Sequence, residues 1–101
     1  MNLFHRLFGN KDNKIVDFIN REAVILDVRT KEEFALGAIA GAKNIDLQQL
    51  PSKIKTISQW NKPVITCCAS GIRSARALAL IEQHGIEVVN GGSWQSLAKK
   101  L

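Results

Sequence analysis

Short β-branched runs alternate with helical stretches along almost the whole of this 101-residue chain, and that alternation limits the possible folds more than any single motif does. Val24–Val28, Lys43–Ile45, Val64–Cys67 and Glu87–Asn90 read as strands. Lys31–Leu36, Leu47–Ile57, Arg73–His84 and Trp94–Leu101 read as the helices that follow them. Strands separated by helices pair in parallel, so the chain is expected to form an α/β fold with a parallel central sheet covered by helices on both faces. Right-handed crossovers then gather the C-terminal ends of the strands on one edge, where the sites of such sheets lie. No internal repeat is visible, and 46% hydrophobic residues suffice for one core. A polar connector, Asn10 to Lys14, precedes a first helix whose apolar side is Ile15, Val16, Phe18 and Ile19. The expected division is a short extension over 1–13 and a single domain over 14–101.

Chemistry concentrates where the third strand meets its helix, in Cys67-Cys68-Ala69-Ser70-Gly71-Ile72-Arg73-Ser74. Ala69, Ser70 and Gly71 are small enough for the backbone to curl until several N–H groups converge on one point. The helix that follows, with Ala75, Leu78, Ala79 and Ile81 as its inner stripe and Gly85 at its end, adds the positive end of its dipole. Such a nest stabilises an anion, and a thiol placed in it ionises more readily. Cys68 is the candidate nucleophile, and the loop amides from Ala69 to Ser74 are the candidate anion-binding groups. Successive strand side chains point to opposite faces, so a Cys68 that looks into the loop leaves Cys67 looking away as a small buried hydrophobe. A disulfide between them would be strained, because adjacent Cα atoms lie only about 3.8 Å apart.

Cys68-Ala69-Ser70-Gly71-Ile72-Arg73-Ser74 resembles the active-site loop of rhodanese-like sulfurtransferases. Three further blocks resemble that family in its order. Ile25-Leu26-Asp27-Val28-Arg29-Thr30-Lys31-Glu32-Glu33-Phe34 is similar to its strand ending in Asp-Val-Arg with an acidic helix behind it. Gly37-Ala38-Ile39-Ala40-Gly41-Ala42-Lys43-Asn44-Ile45 is similar to its glycine-punctuated lead into a short strand, and Asn90-Gly91-Gly92-Ser93-Trp94 to its closing double-glycine turn. Family members usually carry a histidine where this chain has Ala38. The resemblance implies a single-domain member with the three-layer rhodanese-like fold, Cys68 as catalytic residue, Ala69, Ser70, Gly71, Ile72, Arg73 and Ser74 around the substrate, and Asp27 and Arg29 framing the pocket. It also implies sulfur transfer from an anionic donor such as thiosulfate to cyanide or a thiol through a Cys68 persulfide.

Other readings stay open. Cys67 and Arg73 satisfy the Cys-x5-Arg-Ser spacing of tyrosine and dual-specificity phosphatases, in which Cys67 would attack phosphorus and Arg73 clamp the equatorial oxygens. Glycine placement argues against this: Gly71 falls three residues after Cys68, whereas the phosphatase pattern wants glycine where Ser70 stands, and Thr66 rather than histidine precedes Cys67. A persulfide carrier or protein-interaction module that serves one protein acceptor would keep the same loop. Arg73 is suited to meet an anionic substrate, to tie down the loop backbone, or to do both. Asp27 is suited to accept backbone N–H bonds, and Arg29 to pair with Glu33.

The net charge of +5 comes from scattered residues, with Lys99-Lys100 the only basic pair, so the chain has no nucleic-acid stripe, and its positive field draws small anions. His5 and His84 lie far from any ligand-spaced cluster, and no metal or organic cofactor is implied. Two adjacent cysteines make no disulfide framework, and a free reactive thiol suits the cytoplasm. Leu3, Phe4, Leu7 and Phe8 form an apolar turn too short for a secretory signal or a stable membrane insertion.

Overall fold

The computed structural model describes residues 10–101. Its elements in chain order are α1 (Asn10–Asn20), β1 (Val24–Asp27), α2 (Lys31–Ala35), β2 (Lys43–Asn44), a 3-10 helix (Leu47–Lys53), α3 (Ile54–Gln59), β3 (Val64–Cys68), α4 (Ile72–Glu82), β4 (Val88–Ser93) and α5 (Trp94–Ala98). The four strands form one parallel sheet in the order β2-β1-β3-β4, with Asp27 beside Asn44 and Cys67.

Two apolar clusters sandwich this sheet, because alternate strand residues face opposite layers. Leu26, Val28, Val64, Cys68 and Val88 face Leu50 of the 3-10 helix, Ile57 of α3, and Ala77 and Ile81 of α4. Ile65, Cys67 and Val89 face Ile15 and Phe18 of α1 and Leu97 of α5. The expected α/β three-layer architecture is therefore present.

Several boundaries differ for local reasons. α1 begins at Asn10, inside the stretch read as a connector, and Val16, assigned to its apolar side, is 47% exposed. Leu47–Ile57, read as one helix, is a 3-10 segment as far as Lys53 and α3 from Ile54; Pro51, which has no N–H to donate within a helix, lies inside the 3-10 segment. The inner face of α4 is Ser74, Ala77 and Ile81, with Leu78 half-buried; Ala75 and Ala79, expected inside, are exposed. The apolar turn at Leu3, Phe4, Leu7 and Phe8 lies outside the described residues.

β3 and β4 lose register beside the loop. Thr66 pairs with Asn90, but Cys68 pairs with Ser93, so β4 spends one more residue than β3 on the same length. Gly91 sits in that bulge, where a Cβ would lie 2.8 Å from Ile65 Cγ2, 2.9 Å from Leu97 Cδ2 and 2.9 Å from the Thr66 carbonyl oxygen. Only glycine fits between the sheet and α5 there.

Candidate active site

The thiols of Cys67 and Cys68 are both buried and free, but their surroundings differ. Cys67 packs on the α1/α5 side of the sheet, where burial pushes its thiol up to about 12 and the nearby Asp27 carboxylate adds to the effect. Cys68 sits on the α4 side, inside the turn from β3 to α4. Gly71 N donates to its Sγ at 3.0 Å and Ser74 N at 3.4 Å, and the Ser74 hydroxyl lies 3.3 Å away. Burial works against ionisation, but the Ser74 hydroxyl and the amides of Ser74, Gly71 and Ser70 outweigh it, and the thiol falls below its ordinary value.

The loop holds this shape through its glycine and its neighbours. Gly71 caps α4 with φ of +97°, and a Cβ there would meet Gly92 Cα at 3.3 Å, so both the backbone angle and the close approach favour glycine. Asn90 on β4 donates from Nδ2 to the Gly71 carbonyl at 3.1 Å, while its Oδ1 accepts from Ser74 Oγ at 2.7 Å and from Gly92 N at 2.9 Å. Beneath the turn, Thr66 Oγ1 donates to the Ser74 carbonyl at 3.0 Å. The sequence marks Asn90 and Thr66 only as strand or turn residues; tertiary contacts across the bulge give them these roles, and no local pattern announces them.

Arg73 makes its side-chain hydrogen bonds to Glu33, 40 positions away, at 2.7 Å and 3.0 Å, and makes none to the loop backbone. Arg29, expected to pair with Glu33, instead clamps Asp27, with Nε at 2.9 Å and 3.1 Å from its two oxygens and Nη2 at 2.8 Å. At Glu33, Arg29 reaches the backbone carbonyl, at 3.4 Å, and not the carboxylate. The Asp27 carboxylate also accepts the Arg29 N–H at 3.0 Å, in line with its expected backbone role. Arg29 Nη2 donates to Gly37 O at 2.8 Å, and its guanidinium lies 4.9 Å from the Trp94 ring centroid. Asp27 and Arg29 thus sit on the Cys67 side of the sheet and brace the segments at Gly37 and Trp94. Of the remaining loop residues, Ala69, Ser70 and Ile72 are exposed beside the fully buried Cys68. Among the described residues no group of three His, Cys, Asp or Glu is placed to hold a metal ion, and no helix is long and apolar enough to cross a membrane.

The bridge between α2 and α4 has a pH signature. Thr30 and Glu33 form a capping box at the start of α2, a Thr-x-x-Glu pattern that is visible in the sequence. The Arg73 hydrogen bonds, followed by the Thr30 amide, hold the Glu33 carboxyl at about 2 instead of its ordinary 4.5. Because the folded value is the lower one, the contribution is present above pH 4.5 and is lost as pH falls toward about 2. Both partners are about one-third exposed, at 34% and 36%, so solvent screening limits the pair to less than about 1 kcal/mol. Glu33→Gln, which keeps an acceptor for Thr30, is expected to lose about that much near neutral pH and to show a shallower stability decline in acid. Urea unfolding at a series of pH values checks this; parallel declines in the two proteins would refute it.

Comparison with known proteins agrees with this geometry. The rhodanese-like domain family matches residues 5–98. The uncharacterized protein YqhL of Bacillus subtilis is 40% identical over 65 residues, covering 64% of this chain and 51% of YqhL. Thiosulfate sulfurtransferase GlpE of Stutzerimonas stutzeri is 34% identical over 70 residues, covering 69% of this chain and 63% of GlpE. The chain therefore spans between half and two thirds of the length of these two relatives. The crystal structure of a rhodanese-related protein from Thermoplasma volcanium superposes with a TM-score of 0.72 at 31% identity, over 87% of each chain. With the family's match running across the cysteine loop, the Asp-Val-Arg segment and the double glycine alike, this chain belongs to the rhodanese-like domain family.

Proposed function

We propose that the protein is a sulfurtransferase in which Cys68 carries the sulfur. The observation that supports this most directly is the convergence of two backbone amides and one hydroxyl on a thiol that they hold below its ordinary pKa. The Cys68 thiolate attacks the outer sulfur of thiosulfate; a new S–S bond forms, the S–S bond of the donor breaks, and sulfite leaves with the electron pair. The terminal sulfur now carries the negative charge, and the preorganised donors of the Ser70–Ser74 turn remain around the inner sulfur. Cyanide, or a thiolate in the cytoplasm, attacks the terminal sulfur and releases Cys68 as the thiolate. No general base is required once the thiol is ionised. Thiosulfate as the donor follows the name of the relative GlpE. In this reading Arg73, spent on Glu33, ties α4 to α2 and so holds the frame of the loop.

The test is an intact mass after incubation with thiosulfate. A gain of one sulfur atom that cyanide removes is the expected result. Absence of an adduct with thiosulfate, polysulfide and protein persulfides alike would overturn the reading. A persulfide that forms but is discharged only by a protein acceptor would identify a dedicated carrier.

The phosphatase alternative has little support in the geometry. Its nucleophile, Cys67, is buried with a thiol pushed up to about 12, and its arginine is committed to Glu33.

A further inference from the structure

A hydroxyl has a single proton, and two acceptors compete for that of Ser74. Its Oγ lies 2.7 Å from Asn90 Oδ1 and 3.3 Å from Cys68 Sγ. The Asn90 amide is held in one orientation: Nδ2 donates to Gly71 O, and Oδ1 accepts from Gly92 N. Turning it over would set an N–H₂ against the Gly92 N–H and an oxygen against the Gly71 carbonyl. Oδ1 is thus a fixed acceptor, and the shorter contact takes the Ser74 proton while Cys68 is neutral. A serine lone pair then faces Sγ, a contact that only an S–H donor completes. Ser74 is fully buried, so no exchange with bulk solvent relaxes this arrangement.

We propose that Asn90 is a positioning residue that keeps the Ser74 proton away from Cys68 until charge develops on Sγ. When the thiol loses its proton to solvent, the Ser74 O–H swings from Asn90 to the thiolate. When attack on a donor moves the charge to the outer sulfur, the O–H returns to Asn90, a better acceptor than the now uncharged inner sulfur. The serine bond to the thiolate is therefore made against a competitor, which leaves the nucleophile less stabilised and its conversion to persulfide easier. This rests on Cys68 being the sulfur-accepting thiol, but the coupling between Asn90 and Cys68 concerns ionisation alone.

The charged or titratable groups around Cys68 are Arg73 on α4 and Cys67 on β3, with Asp27 and Arg29 beyond Cys67 and Glu33 beyond Arg73. Substitutions at Asn90 and Ser74 leave them all in place.

The experiment follows the pH dependence of Cys68 alkylation by iodoacetamide, read as intact mass in a Cys67→Ala background so that one thiol is counted. Four proteins are compared: Ser74 and Ser74→Ala, each with Asn90 and with Asn90→Ala. With Ser74 present, Asn90→Ala is expected to lower the ionisation midpoint, raising alkylation below that midpoint roughly 2- to 5-fold, the worth of one contested hydrogen bond. In the Ser74→Ala background the same substitution is expected to leave the midpoint where it is. An equal shift in both backgrounds would assign the effect to the Gly71 and Gly92 bonds and overturn the proposal, as would no shift or an upward one. Asn90→Asp, which keeps the acceptor, covers the case in which the alanine variant does not fold. It is expected to raise the midpoint more with Ser74 than with Ser74→Ala, and equal rises would overturn the proposal. A protein that shows the coupling but gains no sulfur would sink the sulfurtransferase reading instead.

Discussion

Cys68→Ala is expected to abolish persulfide formation and cut thiosulfate-to-cyanide turnover by at least about a thousandfold, because the substitution removes the atom that forms the new bond. Cys67→Ala is expected to retain turnover within a few-fold. The two residues are adjacent and equally buried, so the contrast cannot come from exposure. It comes from the donors: Cys68 Sγ receives the Gly71 and Ser74 amides, while Cys67 lies in an apolar layer with the Asp27 carboxylate nearby. Deleting the Cys67 sulfur should cost about 1–2 kcal/mol of stability as a small cavity. Parallel intact-mass and rate measurements on the two variants decide the matter, and loss of activity with Cys67→Ala alone would overturn the assignment of the nucleophile.

The largest stability effect is expected from Asp27→Ala. Asp27 and Arg29 form a salt bridge with side chains 0% and 6% exposed, linked by Nε and Nη2 together. Removing the carboxylate strands a guanidinium in the interior, at a cost of about 3–5 kcal/mol. That is a large part of the ~5–15 kcal/mol that holds a small domain together. The damage should spread, since Arg29 also ties Gly37 and stacks over Trp94, and Asn44 Nδ2 bonds the carbonyls of Asp27 and Arg29. Denaturant titration of Asp27→Ala against the double variant Asp27→Ala/Arg29→Met separates the two parts of the loss. The double variant, lacking the orphaned charge, should recover stability; an equally unstable double variant would show that the pair contributes through its bonds and not through charge compensation.

The sequence reveals the parts of this protein that depend on local chemistry. Strand and helix types follow from β-branched runs and turn residues, and the thiol-bearing nest follows from three small residues between a strand and a helix. Opposite orientation of Cys67 and Cys68 follows from the two-residue period of a strand. What stayed hidden depends on distance in the chain. Arg73 has Glu33 as its partner because α2 and α4 start at the same edge of the sheet, and Arg29 found a carboxylate two residues away in place of the one four residues away. In each case the arginine met a bidentate partner, and sequence spacing does not rank such partners. Leu47–Ile57 reads as one helix, and Pro51 lies inside the part of it that is a 3-10 segment. The role of Asn90 required the bulge in β4, which the double glycine permits but does not announce.

That bulge works as a change of spatial reading frame. In an unbroken strand Asn90 and Ser93, three positions apart, would project to opposite sides. The extra residue at Gly91 and Gly92 resets the parity, so Asn90, opposite Thr66, and Ser93, opposite Cys68, keep step with the same face of β3, and the chain enters α5 at Ser93 with Trp94 over Arg29. Losing one of the two glycines would therefore do more than shorten a turn: it would put the entry to α5 out of step with β3, so that either the Asn90 contacts to the cysteine loop or the Trp94 contact to the buried arginine would be lost.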